Sequence, residues 1–382
     1  MGAYINIGNE GFKRALNSEY VDKTGLIAEI NATLFTEKSF TCVSRCRRFG
    51  KSMAAKMLCA YYDRSCDSRA LFKGLEIETH PSFEKHLNKY SVIYVDMTNF
   101  ITKYSRDENI VDQIKEDLLE DLKECYPSIP VRPKDDVMDF LKRVYEKTGD
   151  TFFMIIDEWD AICREFKSHS KAMEDYVNLL RRMFKSADAY NVFAGVYMTG
   201  IFPITKQRTE SALNNFWEYS ITQPEPLARY FGFTKAEVQM LCEKYNMPFE
   251  DLEKWYDGYS IGNEPSMFNP SSVMKAIQKR QCESYWSSTG SFDAVSHYLR
   301  LDYKGVREDI SSMIAGASCN VDVARFSRDI SDIRNKNDVL SILIHLGYLV
   351  YDRYTKTCHV PNYEVSEELR YAVEDCEYTE VM

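Results

Sequence analysis

The sequence predicts an α/β chain with a mostly parallel sheet, flanking helices and a more helical C-terminal half. Three observations carry that prediction. Apolar, β-like runs at 39–43, 90–97, 151–157 and 191–201 alternate with amphipathic stretches of helical period. The stretch "SRCRRFGKSM" at 44–53 lies between the first of those runs and a helical stretch, and beyond about residue 222 the alternation gives way to shorter helices separated by Gly, Asn and Pro.

Taken in order, "EYVDKTGLIAEI" (19–30) reads as a turn into a short helix, with Asp22 or Thr24 available as its cap. "SFTCV" (39–43) is a strand ending at a basic loop, and from Gly50 the residues Met53, Ala54, Met57, Leu58 and Tyr61 recur at helical spacing. "YSVIYVDM" (90–97) is a second strand. "NIVDQIKEDLLEDLKECY" (109–126) is an amphipathic helix with Ile110, Ile114, Leu118 and Leu122 on one stripe. Prolines in 126–136 break the chain before a helix that ends at Gly149.

"TFFMIIDEWDAI" (151–162) runs five apolar residues straight into Asp157-Glu158, as a strand buried on both faces does. A single helix is expected over 172–190, then an apolar strand, 191–201, ending in Thr199-Gly200. Further on, 233–262 holds two helical stretches and a Gly/Asn-rich turn, and 269–279 is a helix with Pro270 at its start. The segment 337–375 reads as helix, β-hairpin around Thr355-Lys356, helix, which is winged-helix-like. The expected divisions are 1–222, a helical accessory region 223–300, and a winged-helix-like region 301–382.

Bulk properties exclude several classes. With 45% hydrophobic and 28% charged residues, the 382-residue chain is long enough for more than one core and is not disordered by composition. No apolar run is long enough to cross a bilayer, and the first residues lack a signal-peptide pattern, so a cytoplasmic location and no membrane partner are expected. Eleven cysteines without a C-x-x-C pair and six dispersed histidines argue for reduced structural thiols and against zinc. A net charge of −10 argues against nucleic-acid binding over the whole surface, leaving local basic patches.

The most basic patch is the loop itself, with Arg45, Arg47, Arg48 and Lys51. Strand, loop and helix around Gly50-Lys51-Ser52 are the setting of a phosphate-binding P-loop: Gly50 permits the tight turn, Lys51 reaches the outer phosphates, and Ser52 offers a hydroxyl to Mg2+. Arg45 stands where the first glycine of G-x-x-x-x-G-K-[ST] belongs, which implies an altered loop entry. Asp157 would hold Mg2+ through water and Glu158 would polarise the attacking water, the division of labour that phosphoryl transfer requires. Capping of the next helix is the alternative role for that acidic pair.

Thr199 is placed to sense the γ-phosphate or the water, or else to close a turn. Asp96 is a strand-end carboxylate without a following glutamate, suited to a structural role or an auxiliary metal contact. Arg181, Arg182 and Arg208 are candidate arginine fingers, though charge on a solvated face is the better account of each. "WYDGY" (255–259) reads as an aromatic turn packed on the accessory region.

The elements "YVDKTGLI", "SRCRRFGKSM", "FFMIIDEWDAI", "YMTGIFPITK", "SALNNF", "KWYDGYSIG", "FNPSSV" and "HLGYLVY…VPNYEV" together resemble the bacterial AAA-ATPase-like family, in matching order from about residue 5 to residue 370. The resemblance implies a P-loop NTPase core that binds ATP with Mg2+. It places Arg45, Arg47, Arg48, Phe49, Gly50, Lys51, Ser52 and Met53 in the nucleotide loop, with Cys46 at the usual proline. It also matches Asp22 to the family's YVDKT element and Asp157-Glu158 to its acidic pair, with Trp159 where tyrosine is usual. Relatives often carry a C-terminal PD-(D/E)XK nuclease-type domain; no D…(D/E)-x-K pattern follows residue 352, so nuclease activity is not expected of these residues.

The leading expectation is an ATP-binding, ATP-hydrolysing protein whose C-terminal parts read the nucleotide state. The alternative is a nucleotide-gated module with negligible turnover that binds DNA or a protein through its C-terminal region. The lack of an obvious arginine finger, a group worth about 10³–10⁵ in rate, speaks for the alternative. A decayed site on a scaffold is a third reading, opposed by the intact Gly50, Lys51, Ser52, Asp157 and Glu158. Oligomerisation is left open by the sequence.

Overall fold

The computed structural model describes residues 2–105, 107–166, 170–204, 213–286, 295–296, 298–299, 303, 305–323 and 333–381, with side chains as far as 375. The chain forms two compact units: Met1–Ser44 with Lys51–Tyr219, and Arg45–Gly50 with Ser220–Met382. Residues 223–300 and 301–382 both fall in the second unit.

Unit 1 is built on five strands, β1 (Phe40–Ser44), β2 (Ser91–Asp96), β3 (Phe152–Asp157), β4 (Phe193–Gly200) and β5 (Trp217–Tyr219). Their order is β2-β3-β4-β1-β5 and every pair is parallel. The apolar runs become strands because β1, β3 and β4 are buried along their whole length, with side chains covered on both faces. Parallel pairing brings all the carboxyl ends to one edge, so Asp96 lies opposite Asp157 and Ser44 opposite Gly200. The chain leaves β1 for the far edge at β2 and works back to β4, beside β1. That change of direction is where open α/β sheets place ligands.

Among the described residues, the helices of unit 1 are α1 (Glu10–Leu16), α2 (Gly25–Asn31), α3 (Lys51–Tyr62), α4 (Phe83–His86), α5 (Met97–Lys103), α6 (Ile110–Cys125), α7 (Val137–Thr148), α8 (Ala161–Glu165), α9 (Lys171–Phe184) and α10 (Ala189–Val192). Helix α3 packs on β2, β3 and β4. On α6 the expected stripe of Ile110, Ile114, Leu118 and Leu122 is buried. Helix α7 starts on an Asp136–Asp139 capping box and stops at Gly149, whose φ of 74° is the left-handed C-cap conformation.

The helix expected over 172–190 is instead two. Helix α9 stops at Phe184, and Asp188, whose carboxylate is 2.8 Å from the Lys142 ammonium, precedes α10. Tyr190 on α10 then stacks on Phe40 in an aromatic cluster with Phe184, Phe193 and Phe216. Among the described residues no helix is long and apolar enough to cross a membrane.

Among the described residues, unit 2 has two small antiparallel sheets. In the first, β6 (Phe233–Thr234), β7 (Tyr259–Ile261) and β8 (Glu264–Phe268) run in the order β6-β8-β7; in the second, β9 (Cys319–Asn320), β10 (Val350–Asp352) and β11 (Thr357–His359) run in the order β10-β11-β9. The helices expected within 233–262 are Lys235–Tyr245 and Phe249–Tyr256, and the turn after them proves to be the β7–β8 hairpin. Helix Pro270–Lys279 has Asn269 as its cap and Pro270 in its first turn. The last expected series is present as helix Lys336–Leu346, the β10–β11 hairpin and helix Tyr363–Val381.

The aromatic turn at 255–259 has a definite partner. Gly258 has φ 102°, and a Cβ there would lie 1.9 Å from the Pro361 carbonyl oxygen, while Asn362 Nδ2 donates to the Asp257 carbonyl at 2.8 Å. "WYDGY" and "VPNYEV" therefore form one packed element.

Candidate functional site

The carboxyl edge of the unit 1 sheet gathers residues far apart in sequence. Asp157 ends β3 with only 2% of its surface exposed. Because Ile156 pairs with Met198, the next residues along β3 and β4 are Asp157 and Thr199, and the Thr199 hydroxyl donates to Asp157 Oδ1. The Glu158 amide donates to Thr199 Oγ1 at 3.3 Å, and the Tyr94 hydroxyl reaches Asp157 Oδ2 at 3.4 Å. The Thr199 hydroxyl is thus engaged by the aspartate, a contact that neither role read from the sequence named.

Asp96, on β2 beside Asp157, caps α5 by accepting from the amides of Thr98 at 2.9 Å and Asn99 at 3.3 Å. Burial, and then the neighbouring Asp157, push its carboxyl above the usual range.

Glu158 turns the chain out of the sheet. Its φ of 53° is left-handed, a conformation that costs a non-glycine residue on the order of 1 kcal/mol and needs surrounding structure to hold it. That structure is present: the Trp159 amide donates to the Thr199 carbonyl at 2.8 Å, and the Tyr176 hydroxyl donates to the Trp159 carbonyl at 2.8 Å. The fully buried Asp160 carboxylate accepts from the amides of Ile201 at 3.1 Å and Phe202 at 2.9 Å.

Lys51 is the first residue of α3 and is 4% exposed. Its Nζ lies 3.6 Å from Glu158 Oε1, and Arg164 on α8 meets Glu158 Oε2 at 2.6 Å. Lys51, Asp157, Glu158 and Thr199, chosen from sequence, are thus brought together. Tyr94, Asp160 and Arg164 were not chosen. The one signal for Arg164 was its place four residues after Asp160 in "DEWDAICREF", the spacing of a helical ion pair.

The loop before Lys51 packs within unit 2. Gly50 has φ 89° with no heavy atom near the position of a Cβ, so the backbone angle, not crowding, calls for glycine. Arg48 also has a positive φ, 69°, and its guanidinium donates to the Tyr285 carbonyl at 2.6 Å. Arg45 is fully buried with its guanidinium 5.3 Å from the centre of the Phe231 ring. Phe49 is buried edge-on to Tyr259 at 5.0 Å, and its carbonyl accepts from the Gly232 amide at 3.1 Å.

Arg47 and Ser52 are half-buried and Met53 is exposed. Asp22 is not shown at this edge: its carboxylate accepts from the Thr24 amide and hydroxyl at 2.8 and 2.7 Å and from the Glu76 amide at 2.7 Å. Arg181 lies on an exposed face beside Asn178, Arg182 pairs with Asp136 and Asp139, and Arg208 lies outside the described residues.

Residues 6–209 match the family described as Predicted AAA-ATPase. The chain belongs to that family. As a Predicted AAA-ATPase it is similar to an uncharacterized protein encoded in the vnfD 5' region of Azotobacter chroococcum mcd 1, with 23% identity over 283 residues. That stretch is 71% of this chain and 51% of the relative, so the match spans about half of that protein's length.

Among solved structures, the Aeropyrum pernix ORC2 protein in its ADPNP–ADP complexes is similar at 14% identity and a TM-score of 0.47, over 97% of this chain and 98% of that one. AMPPCP-bound DnaA from Aquifex aeolicus is similar at 10% identity and a TM-score of 0.35, over 96% and 91%. Membership of the Predicted AAA-ATPase family rests on the sequence match, not on these low scores.

Proposed function

We propose that this Predicted AAA-ATPase binds ATP with Mg2+ and hydrolyses it, and that the nucleotide state sets the conformation of the C-terminal region. The observation that carries the reading is the 3.6 Å approach of Lys51 Nζ to Glu158 Oε1, beside an Asp157 held by Thr199. A phosphate-binding lysine, a metal-binding aspartate and a base are the groups phosphoryl transfer needs in one place.

In this reading Gly50 and the start of α3 present backbone amides to the phosphates, and Lys51 carries the compensating charge. The Ser52 hydroxyl and Asp157 carboxylate are hard oxygen donors of the kind Mg2+ takes, and the Thr199 bond keeps the aspartate aimed. Bound Mg2+ would neutralise charge on the phosphate oxygens. Glu158 accepts a proton from the attacking water as that water bonds to the γ-phosphorus and the bond to the departing ADP oxygen breaks. Before nucleotide arrives, Glu158 is the counter-charge of Lys51; phosphate takes its place.

The test is a pair of variants. Lys51→Ala is expected to abolish binding of a fluorescent ATP analogue, and Glu158→Gln to retain binding while phosphate release stops. Wild-type hydrolysis in both variants would overturn the proposal.

A second reading, nucleotide-gated binding of DNA or a protein through a winged-helix-like region, draws on the β10–β11 turn. There Tyr354 is 81% exposed, with the Arg353 guanidinium 4.9 Å from its ring centre. An exposed aromatic with a cation is suited to stacking on a base or packing on a partner. Duplex binding that changes with ATP, together with phosphate release unaffected by DNA and near background, would favour this reading over hydrolysis.

A further inference from the structure

Glu158 does not owe its direction to the strand before it. In the left-handed conformation, φ 53°, its side chain leaves the alternation of β3, so its aim depends on what holds the carboxylate. Cations lie at both of its oxygens: Lys51 at 3.6 Å from Oε1 and Arg164 at 2.6 Å from Oε2.

Arg164 is itself anchored. It lies on α8 with Nε 3.5 Å from Asp160 Oδ2, and its backbone amide donates to the Asp160 carbonyl at 3.0 Å. Asp160 is in turn pinned by the Ile201 and Phe202 amides just past β4. The end of β4 fixes Asp160, Asp160 fixes Arg164, and Arg164 fixes Glu158. The two cations have different futures once phosphate binds. Lys51 stands at the head of the phosphate loop's helix and is drawn to the anion, whereas Arg164 is tethered to a buried carboxylate and stays.

We propose that Arg164 is a positioning residue for hydrolysis, holding Glu158 through Oε2 so that Oε1 faces the attacking water when Lys51 turns to the phosphates. The inference rests on the reading of Glu158 as the base. A purely structural Arg164, serving only to neutralise Asp160, would leave the aim of Glu158 unaffected.

The experiment uses the full chain with Arg164→Gln, which can still donate a hydrogen bond but carries no charge, and Arg164→Lys, which keeps the charge. Steady-state phosphate release with Mg-ATP is expected to show kcat lowered about 10- to 100-fold in Arg164→Gln, the scale of a misplaced catalytic group. KM, and the affinity for a fluorescent ATP analogue, should stay within about twofold, because the contact acts after binding. Arg164→Lys should recover most of the lost kcat.

A readout without nucleotide accompanies these: a thermal-unfolding cycle of Glu158→Gln, Arg164→Gln and the double variant, expected to be non-additive because the two side chains touch. Unchanged kcat in Arg164→Gln, equal loss in both Arg164 variants together with lost nucleotide binding, or additivity in the unfolding cycle would each overturn the inference. A wild-type chain that binds ATP without turnover overturns the hydrolysis reading instead, and the cycle then decides the Arg164–Glu158 link by itself.

Discussion

Thr199, near the end of β4, donates a hydrogen bond from its hydroxyl to Asp157 at the end of the adjacent strand β3, and the Glu158 amide donates to the same hydroxyl oxygen at 3.3 Å. One small side chain therefore orients both members of the acidic pair. Thr199→Val keeps the shape and removes the donor, leaving a carboxylate that is 2% exposed short of a partner. The expected cost is about 1–3 kcal/mol of stability, with reduced phosphate release. Thr199→Ser should preserve both. An unfolding midpoint and turnover for Thr199→Val equal to wild type would show that the bond does not hold the pair.

Gly258 and Gly74 separate backbone strain from collision. Both have positive φ, 102° and 79°, but a Cβ at 258 overlaps the Pro361 carbonyl oxygen at 1.9 Å, whereas a Cβ at 74 meets nothing within 4 Å. Gly74→Ala is expected to lose about 1–2 kcal/mol, the price of the left-handed conformation alone. Gly258→Ala should lose more than about 2 kcal/mol, because Pro361 has to move as well. Urea unfolding of the two variants measures the difference, and equal losses would mean that the "WYDGY"–"VPNYEV" contact yields freely.

Glu364 provides a pH signature in unit 2. It is fully buried and accepts from the Tyr285 amide at 2.7 Å and the Ser272 hydroxyl at 3.0 Å. Burial raises its carboxyl from the ordinary 4.5 to about 7; the two hydrogen bonds and the Arg48 guanidinium oppose the shift, and Glu368 adds to it. The folded chain thus holds this proton more tightly than the unfolded chain does. Its contribution is fully present below about pH 4.5 and is lost as pH rises through about 7. Relative to Glu364→Gln, which does not titrate, wild type should lose up to about 3 kcal/mol between pH 5 and pH 8. A difference in unfolding midpoint that stays constant over that range would refute the shift.

How much of this was legible in the sequence depended on what each residue's environment required of its neighbours along the chain. β1, β3 and β4 are covered on both faces, so they appear as unbroken apolar runs. β5 is three residues long, and Trp217 is 44% exposed, so it carries no period to read. The β7–β8 hairpin showed only its Gly262-Asn263 turn, because "EPSMF" has a proline and lacks clean alternation.

The break after Phe184 was equally hidden, since Ser186, Ala187 and Asp188 do not forbid a helix. In the candidate site, Lys51, Asp157 and Glu158 could be picked out because the phosphate chemistry proposed for them restricts residue type at fixed spacing. Arg164 and Asp160 did not, because their roles follow from the end of β4, some forty positions later in the chain.

The placement of residues 45–50 bears on how the protein can be dissected. Arg45, Arg48 and Phe49 find Phe231, Tyr285 and Tyr259 as neighbours, all beyond residue 219, and the chain returns to unit 1 at Lys51. A fragment cut at Tyr219 would keep every strand of the parallel sheet and lose the lining against which the loop is folded. No single cleavage point yields two self-sufficient pieces. Gene fusions, truncations and domain exchanges have to treat the loop and the C-terminal half as one inheritance.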